Sequence, residues 1–160
     1  MDTQLKLEGV AEPSEVADSI LVSFREAGEL LTNLKLQKIL YYADAWYLAL
    51  RGEALVREDF EAWVHGPVLP SQYHRFKHHT WRQISDEISK PHLTTEVSEH
   101  LDEIIEVFGV ESGVSLELMT HQEEPWIEAR GDLDPTENSR NAISKETMAR
   151  YYKSFSNVAN

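Results

Sequence analysis

Seven histidines and no cysteine set the terms for any chemistry in this chain of 160 residues. Without thiols there is no disulfide framework, no thiolate nucleophile and no thiolate-ligated metal. His74 and His78 stand four apart, a spacing that puts two imidazoles on one helix face as metal ligands. Between them lie Arg75, Phe76 and Lys77, so the glutamate of a zinc-hydrolase motif is missing and two cations oppose a bound ion. Together with His79 and Arg82 the cluster reads as a locally cationic surface, and neither a metal nor another cofactor is expected.

His121 precedes Glu123, Glu124, Trp126 and Arg130. A general base held by a carboxylate, or two carboxylates acting as acid and base, is the catalytic reading of that run. Adjacent glutamates diverge on any regular backbone, which makes them poor partners in one site. An interaction or core-anchoring role is the better reading, with Trp126 packed and Arg130 paired to a carboxylate. His65 sits in Trp63-Val64-His65-Gly66-Pro67, a corner bent by glycine and directed by proline. No nucleophile stands beside it, so it reads as structural. A metal-assisted hydrolase using His65, His74 or His121 is the enzymatic alternative, and no catalytic residue is assigned.

Aromatic anchors are more plentiful than candidate catalysts. Tyr41, Tyr42, Trp46 and Tyr47 fall within seven positions and wrap more than one side of a helix, so at least one should be exposed or bonded through its hydroxyl. Lys35 and Lys38 flank Gln37 beside the face opposite Ile39 and Ala43. They read as solvated stems covering apolar neighbours; the alternative is a partner-facing polar strip that includes Asp44.

The elements that must position these residues follow from periodicity and punctuation. Pro13 and Ser14 open a helix with Val16, Ile20 and Phe24 on one stripe. Thr32 or Asn33 caps a second helix, which Gly52 ends. Ala54–Arg57 and Phe60–Val64 predict a hairpin turning at Glu58 and Asp59. Gly66, Pro67 and Pro70 forbid a helix there, and Ser71 can cap a short one. Residues 79–93 form a loop. Thr94 or Thr95 starts a strongly amphipathic helix closed by Gly109. Val114–Thr120 and Pro125–Ala129 are short helices, and Ser144 starts the last. The expected fold is mainly α (α+β): one compact helical domain of about six helices with a short antiparallel β-hairpin. Residues 1–12 are expected to be a flexible lead, with one domain over 13–156.

Apolar residues at 41% supply a core, and no apolar run is long enough to span a bilayer. The first twelve residues lack the apolar stretch of a signal peptide, and the absence of cysteine fits a reducing cytoplasm. The net charge is −13. Residues 96–137 hold 13 carboxylates and only Arg130 as a cation. Such a field opposes direct nucleic-acid binding and favours a basic protein partner.

Three blocks recur in a known order. They are Thr32–Lys38 with Tyr41-Tyr42; Glu61-Ala62-Trp63 with Gly66-Pro67-Val68 and Tyr73; and Thr120-His121 with Pro125-Trp126 and Ala129-Arg130. Together they resemble the Panacea domain, the SocA-like antitoxin or phage-associated protein family, over about residues 18–152. The resemblance implies an antitoxin of a toxin–antitoxin system that neutralises a cognate protein toxin by protein–protein interaction. Some relatives are proteolytic adaptors for a AAA+ protease. Others add a DNA-binding module, for which this chain has no room. The residues assigned to partner binding are Lys35, Lys38, Tyr42, Trp63, His65, Tyr73, His121, Glu124, Trp126 and Arg130.

Overall fold

A computed structural model describes residues 4–158. Pro13 sits in the first turn of α1 (Pro13–Glu26), where its missing N–H removes nothing from the helix, and Val16, Ile20 and Phe24 form its buried stripe. Thr32 caps α2 (Asn33–Arg51), its Oγ1 accepting the Lys35 amide at 3.2 Å. Gly52 ends that helix at φ +67°. The helix is central: it packs against α1 and against most of the elements that follow it.

The hairpin is real but displaced. Its strands are β1 (Glu61–Trp63) and β2 (Gly66–Val68), antiparallel, with Trp63 opposite Gly66 and Glu61 opposite Val68. The turn therefore falls at Val64 and His65, and Gly66 and Pro67 belong to a strand. The expected first strand, Ala54–Arg57, has its amides taken up elsewhere. The buried Asp44 carboxylate accepts Leu55 N–H at 2.8 Å and Val56 N–H at 3.3 Å. A side chain has replaced a strand partner, and no local periodicity announces that.

After the hairpin come α3 (Pro70–Phe76), a single 3₁₀ turn (Lys77–His79), α4 (Thr95–Phe108), α5 (Gly113–Thr120), α6 (Glu124–Arg130) and α7 (Lys145–Val158). Ser71 does not cap α3; its amide and hydroxyl bond Glu58 instead. Thr94 and Ser112 cap α4 and α5 through their hydroxyls. Residues 4–12, placed in the flexible lead, lie along the exit of α2: Lys6 N–H reaches Gly52 O at 3.0 Å, Ala54 N–H reaches Lys6 O at 2.8 Å, and Val10 N–H reaches Leu55 O at 3.0 Å. Residues 1–3 of that lead lie outside the described residues.

The packing of α7 on α2 buries two polar devices. Lys145 Nζ meets Asp44 Oδ2 at 2.6 Å, fully inside. Tyr42 and Tyr152 both donate to Glu123 Oε1, at 2.8 and 2.7 Å, while the Tyr41 and Tyr152 hydroxyls lie 3.0 Å apart. The three tyrosines of the aromatic run are thus core features bonded through their hydroxyls, whereas Trp46 Nε1 is buried without a hydrogen-bond partner, and Asp44 is not on a partner-facing strip. No helix among the described residues is long and apolar enough to cross a membrane.

Candidate partner-binding groove

The hairpin backbone is held by side chains from every block singled out in the sequence. From α2, Lys38 Nζ donates to Pro67 O at 3.0 Å, and Gln37 Oε1 accepts Leu69 N–H at 2.8 Å. Gln37 is oriented by Asn33, whose Oδ1 accepts from Gln37 Nε2 at 2.9 Å; Asn33 Nδ2 then donates to Tyr73 O at 3.1 Å. From α6, Trp126 Nε1 donates to Trp63 O at 2.8 Å and Arg130 donates to Ala62 O at 3.0 Å. Short strands that cannot complete a sheet are pinned by long side chains reaching their carbonyls.

Lys38 is the least expected member. It was read as a solvated stem, yet it has no exposed surface. Burial drives its ammonium down to about 7, opposed by the nearby Glu117 carboxylate. Gly66 fits over it at φ +99°, where an added Cβ would lie 2.7 Å from Lys38 Cε and 2.9 Å from Thr120 Oγ1. Glycine is required there on both counts. Lys35 is also withdrawn: its Nζ bonds Glu29 at 2.9 Å and Gly109 O at 2.8 Å.

His121 stacks on Trp126 with ring centroids 4.1 Å apart, and its Nε2 is buried without a hydrogen-bond partner. Burial holds this imidazole below its ordinary range, against the raising influence of Glu117. Arg130 does not pair with a carboxylate. Its guanidinium bonds the carbonyls of Ala62, Asp134 and Glu137, and so ties the hairpin to the 131–140 loop. Glu123 and Glu124 diverge: the first takes the tyrosine hydroxyls, the second meets Arg150 at 3.2 Å.

Outward from these anchors the hairpin, α3, α5 and the 131–140 loop enclose an open groove of about 1120 Å³. Trp63 and Tyr73 form its aromatic wall, edge to face at 4.7 Å and both half-buried. The exposed His65 stands at the rim and donates to Glu117 Oε2 at 3.1 Å. Val114 is exposed on the α5 side. Among the described residues, Lys38, Lys77 and Arg140 line the groove with Glu117 as its only carboxylate. The groove is therefore less acidic than the chain that carries it.

Of the ten assigned residues, the groove brings together Lys38, Trp63, His65 and Tyr73. His121 and Trp126 lie behind the hairpin, and Arg130 anchors it from inside. Lys35, Tyr42 and Glu124 belong to other contacts. Asn33, Gln37 and Glu117 were missed. The first two had a readable signal, being amides four apart on the face that carries Lys38. Arg140 and Lys77 reach the groove only through the tertiary fold.

Residues 36–127, more than half of the chain, match the family described as antitoxin SocA-like, Panacea domain, and the chain belongs to that family. Among curated proteins, Antitoxin SocA of Caulobacter vibrioides (strain NA1000 / CB15N) is 48% identical over 46 residues. That stretch covers 29% of this chain and 24% of the relative, so the match spans about a quarter of the relative's length. No solved structure matches the chain.

Proposed function

We propose that this protein is an antitoxin that neutralises a cognate protein toxin by stoichiometric binding, without turnover. One observation carries the reading: the three sequence blocks converge on one hairpin, and the surface they hold rigid is an open groove with an aromatic wall. Half-buried Trp and Tyr on a fixed backbone offer a large contact area at little entropic cost, which is how binding anchors work. The name of the Caulobacter relative supports the antitoxin role.

The outer face of α4 supplies a second element. Glu96, Glu99, Asp102, Glu103 and Glu106 are all exposed along one helix. Their field steers a basic partner during encounter, while the groove holds it once docked.

The test is reconstitution with the product of the neighbouring gene, co-expressed and passed over size exclusion. A complex of fixed stoichiometry that weakens on Tyr73→Ala supports the proposal. Failure of the two purified chains to associate at micromolar concentration overturns it. Toxin half-life in cells with and without their AAA+ proteases then separates masking from delivery to a protease.

A further inference from the structure

The geometry points to a divalent transition-metal site at His78, His79 and Asp86. The ligating atoms of these three side chains lie within 4.8 Å of one another, the one cluster of this kind among the described residues. His79 Nε2 and Asp86 Oδ1 are 2.5 Å apart, and His78 Nε2 is 3.7 Å from the same oxygen. In a tetrahedral zinc site with bonds of about 2.0–2.1 Å, neighbouring ligand atoms are about 3.3 Å apart. The observed separations bracket that value, so small side-chain rotations would seat an ion. The sequence paired His78 with His74 instead. The fold sends His74 to the aromatic wall, 6.4 Å from Trp63 and 5.5 Å from Tyr73, and brings in an aspartate from eight residues further on.

The ligands are held before any ion arrives. Asp86 belongs to a segment fixed by Arg25, whose guanidinium donates to Asp86 O at 2.7 Å and Ile84 O at 3.0 Å. Ile84 is fully buried, and its amide bonds Leu31 O at 2.7 Å. On the other side, His79 ends the 3₁₀ turn and is followed by Thr80 at φ +56° and ψ −121°. A threonine there is strained, and such strain concentrates where a side chain must be aimed. Of the neighbouring cations, Arg75 is paired with Asp18 at 2.7 Å, Arg25 with the two carbonyls, and Lys77 is exposed to solvent.

Two imidazoles and a carboxylate suit Zn²⁺, Co²⁺ or Ni²⁺ and not the oxygen-seeking Mg²⁺ or Ca²⁺. An ion would take the place of the hydrogen bond between His79 and Asp86, and leave a fourth position for water or a donor from a bound protein. The site adjoins the groove, which Lys77 and Thr80 line on either side of the two histidines, but the inference does not depend on the antitoxin reading.

The experiment is calorimetric titration of Zn²⁺ into the full chain, purified without a histidine tag and stripped of metal. We expect saturable binding of one ion per chain, weakened at least about tenfold by His79→Gln and by Asp86→Asn and unchanged by His74→Gln. Circular dichroism checks that each variant folds; should His79→Gln fail, His78→Gln alters an exposed ring and must also weaken binding. Absence of one-to-one binding, or folded Asp86→Asn titrating like the wild type, overturns the site.

Discussion

Lys38 Nζ lies 3.0 Å from the Pro67 carbonyl, with the whole side chain sealed beneath Gly66. This contact joins the central helix to the hairpin and puts a titrating amine at the floor of the groove. In the folded chain that amine titrates near 7, against 10.5 in its ordinary state. Between those values the unfolded chain holds a proton that the folded one lacks, so this group makes stability rise with pH. Below 7 both states are protonated and its slope vanishes. Lys38→Met removes the titration. We expect the variant's stability relative to wild type to be roughly 3 kcal/mol more favourable at pH 7 than at pH 10. Urea unfolding of both proteins at the two pH values checks this, and parallel pH profiles would contradict it.

Gly66 makes a second prediction through the same contact. Gly66 and Gly28 both have positive φ, +99° and +86°, so alanine strains the backbone at either position. At Gly28 an added Cβ meets nothing within 4 Å, whereas at Gly66 it meets Lys38 and Thr120. Gly66→Ala should destabilise by about 1–3 kcal/mol beyond Gly28→Ala. Equal midpoints in thermal or urea unfolding would show that Lys38 moves aside freely.

Much of the architecture was legible because helices announce themselves locally. Thr32, Gly52 and Thr94 cap or close the helices they were read to bound, and the stripe of Val16, Ile20 and Phe24 fixed α1. The hairpin was misplaced because Asp44 takes up the Leu55 and Val56 amides of the expected strand while Lys38 and Arg130 hold carbonyls of the observed one, and no period-2 pattern records such bonds. The same cause misled the reading of Lys35 and Lys38. Position on a helix wheel places a lysine outside unless that helix is enclosed on nearly every side, as α2 is. The aromatic part of the groove, Trp63 and Tyr73, could be named through the resemblance, as members of its second block. Its polar lining could be named only in part, as Lys38 and His65, since Glu117 and Arg140 arrive from far along the chain.

Arg130 illustrates how such distant bonds should register in stability. Its guanidinium serves four separate carbonyls, of Ala62, Asp134 and Glu137 and, at 3.5 Å, of Pro135. A lysine cannot present donors in that fan, so Arg130→Lys leaves buried acceptors unmet. The expected loss is about 2–4 kcal/mol, with faster amide exchange across residues 131–140. Arg150→Lys is the control: its contact with Glu124 is exposed at both ends, and the change should stay within about 0.5 kcal/mol. Similar losses for the two variants would mean that the carbonyl contacts contribute nothing specific.

The division of labour between groove and acidic helix can be read from kinetics. Tyr73 packs against Trp63 in the groove wall, whereas Glu99 and Glu103 lie on the exposed face of α4. Truncating an anchor removes contact that exists only in the docked complex, so Tyr73→Ala should speed dissociation about tenfold or more and leave association little changed. Reversing charge at Glu99 and Glu103 alters the long-range field, so the double variant to lysine should slow association and flatten its dependence on salt, with dissociation nearly unchanged. Surface plasmon resonance against the neighbouring gene's product, at low and physiological ionic strength, reads both rates. If charge reversal leaves association untouched while Tyr73→Ala still shortens the complex, the groove alone governs recognition and α4 is only a solvated face. If Tyr73→Ala has no effect on dissociation, the partner docks elsewhere and the aromatic wall belongs to the fold.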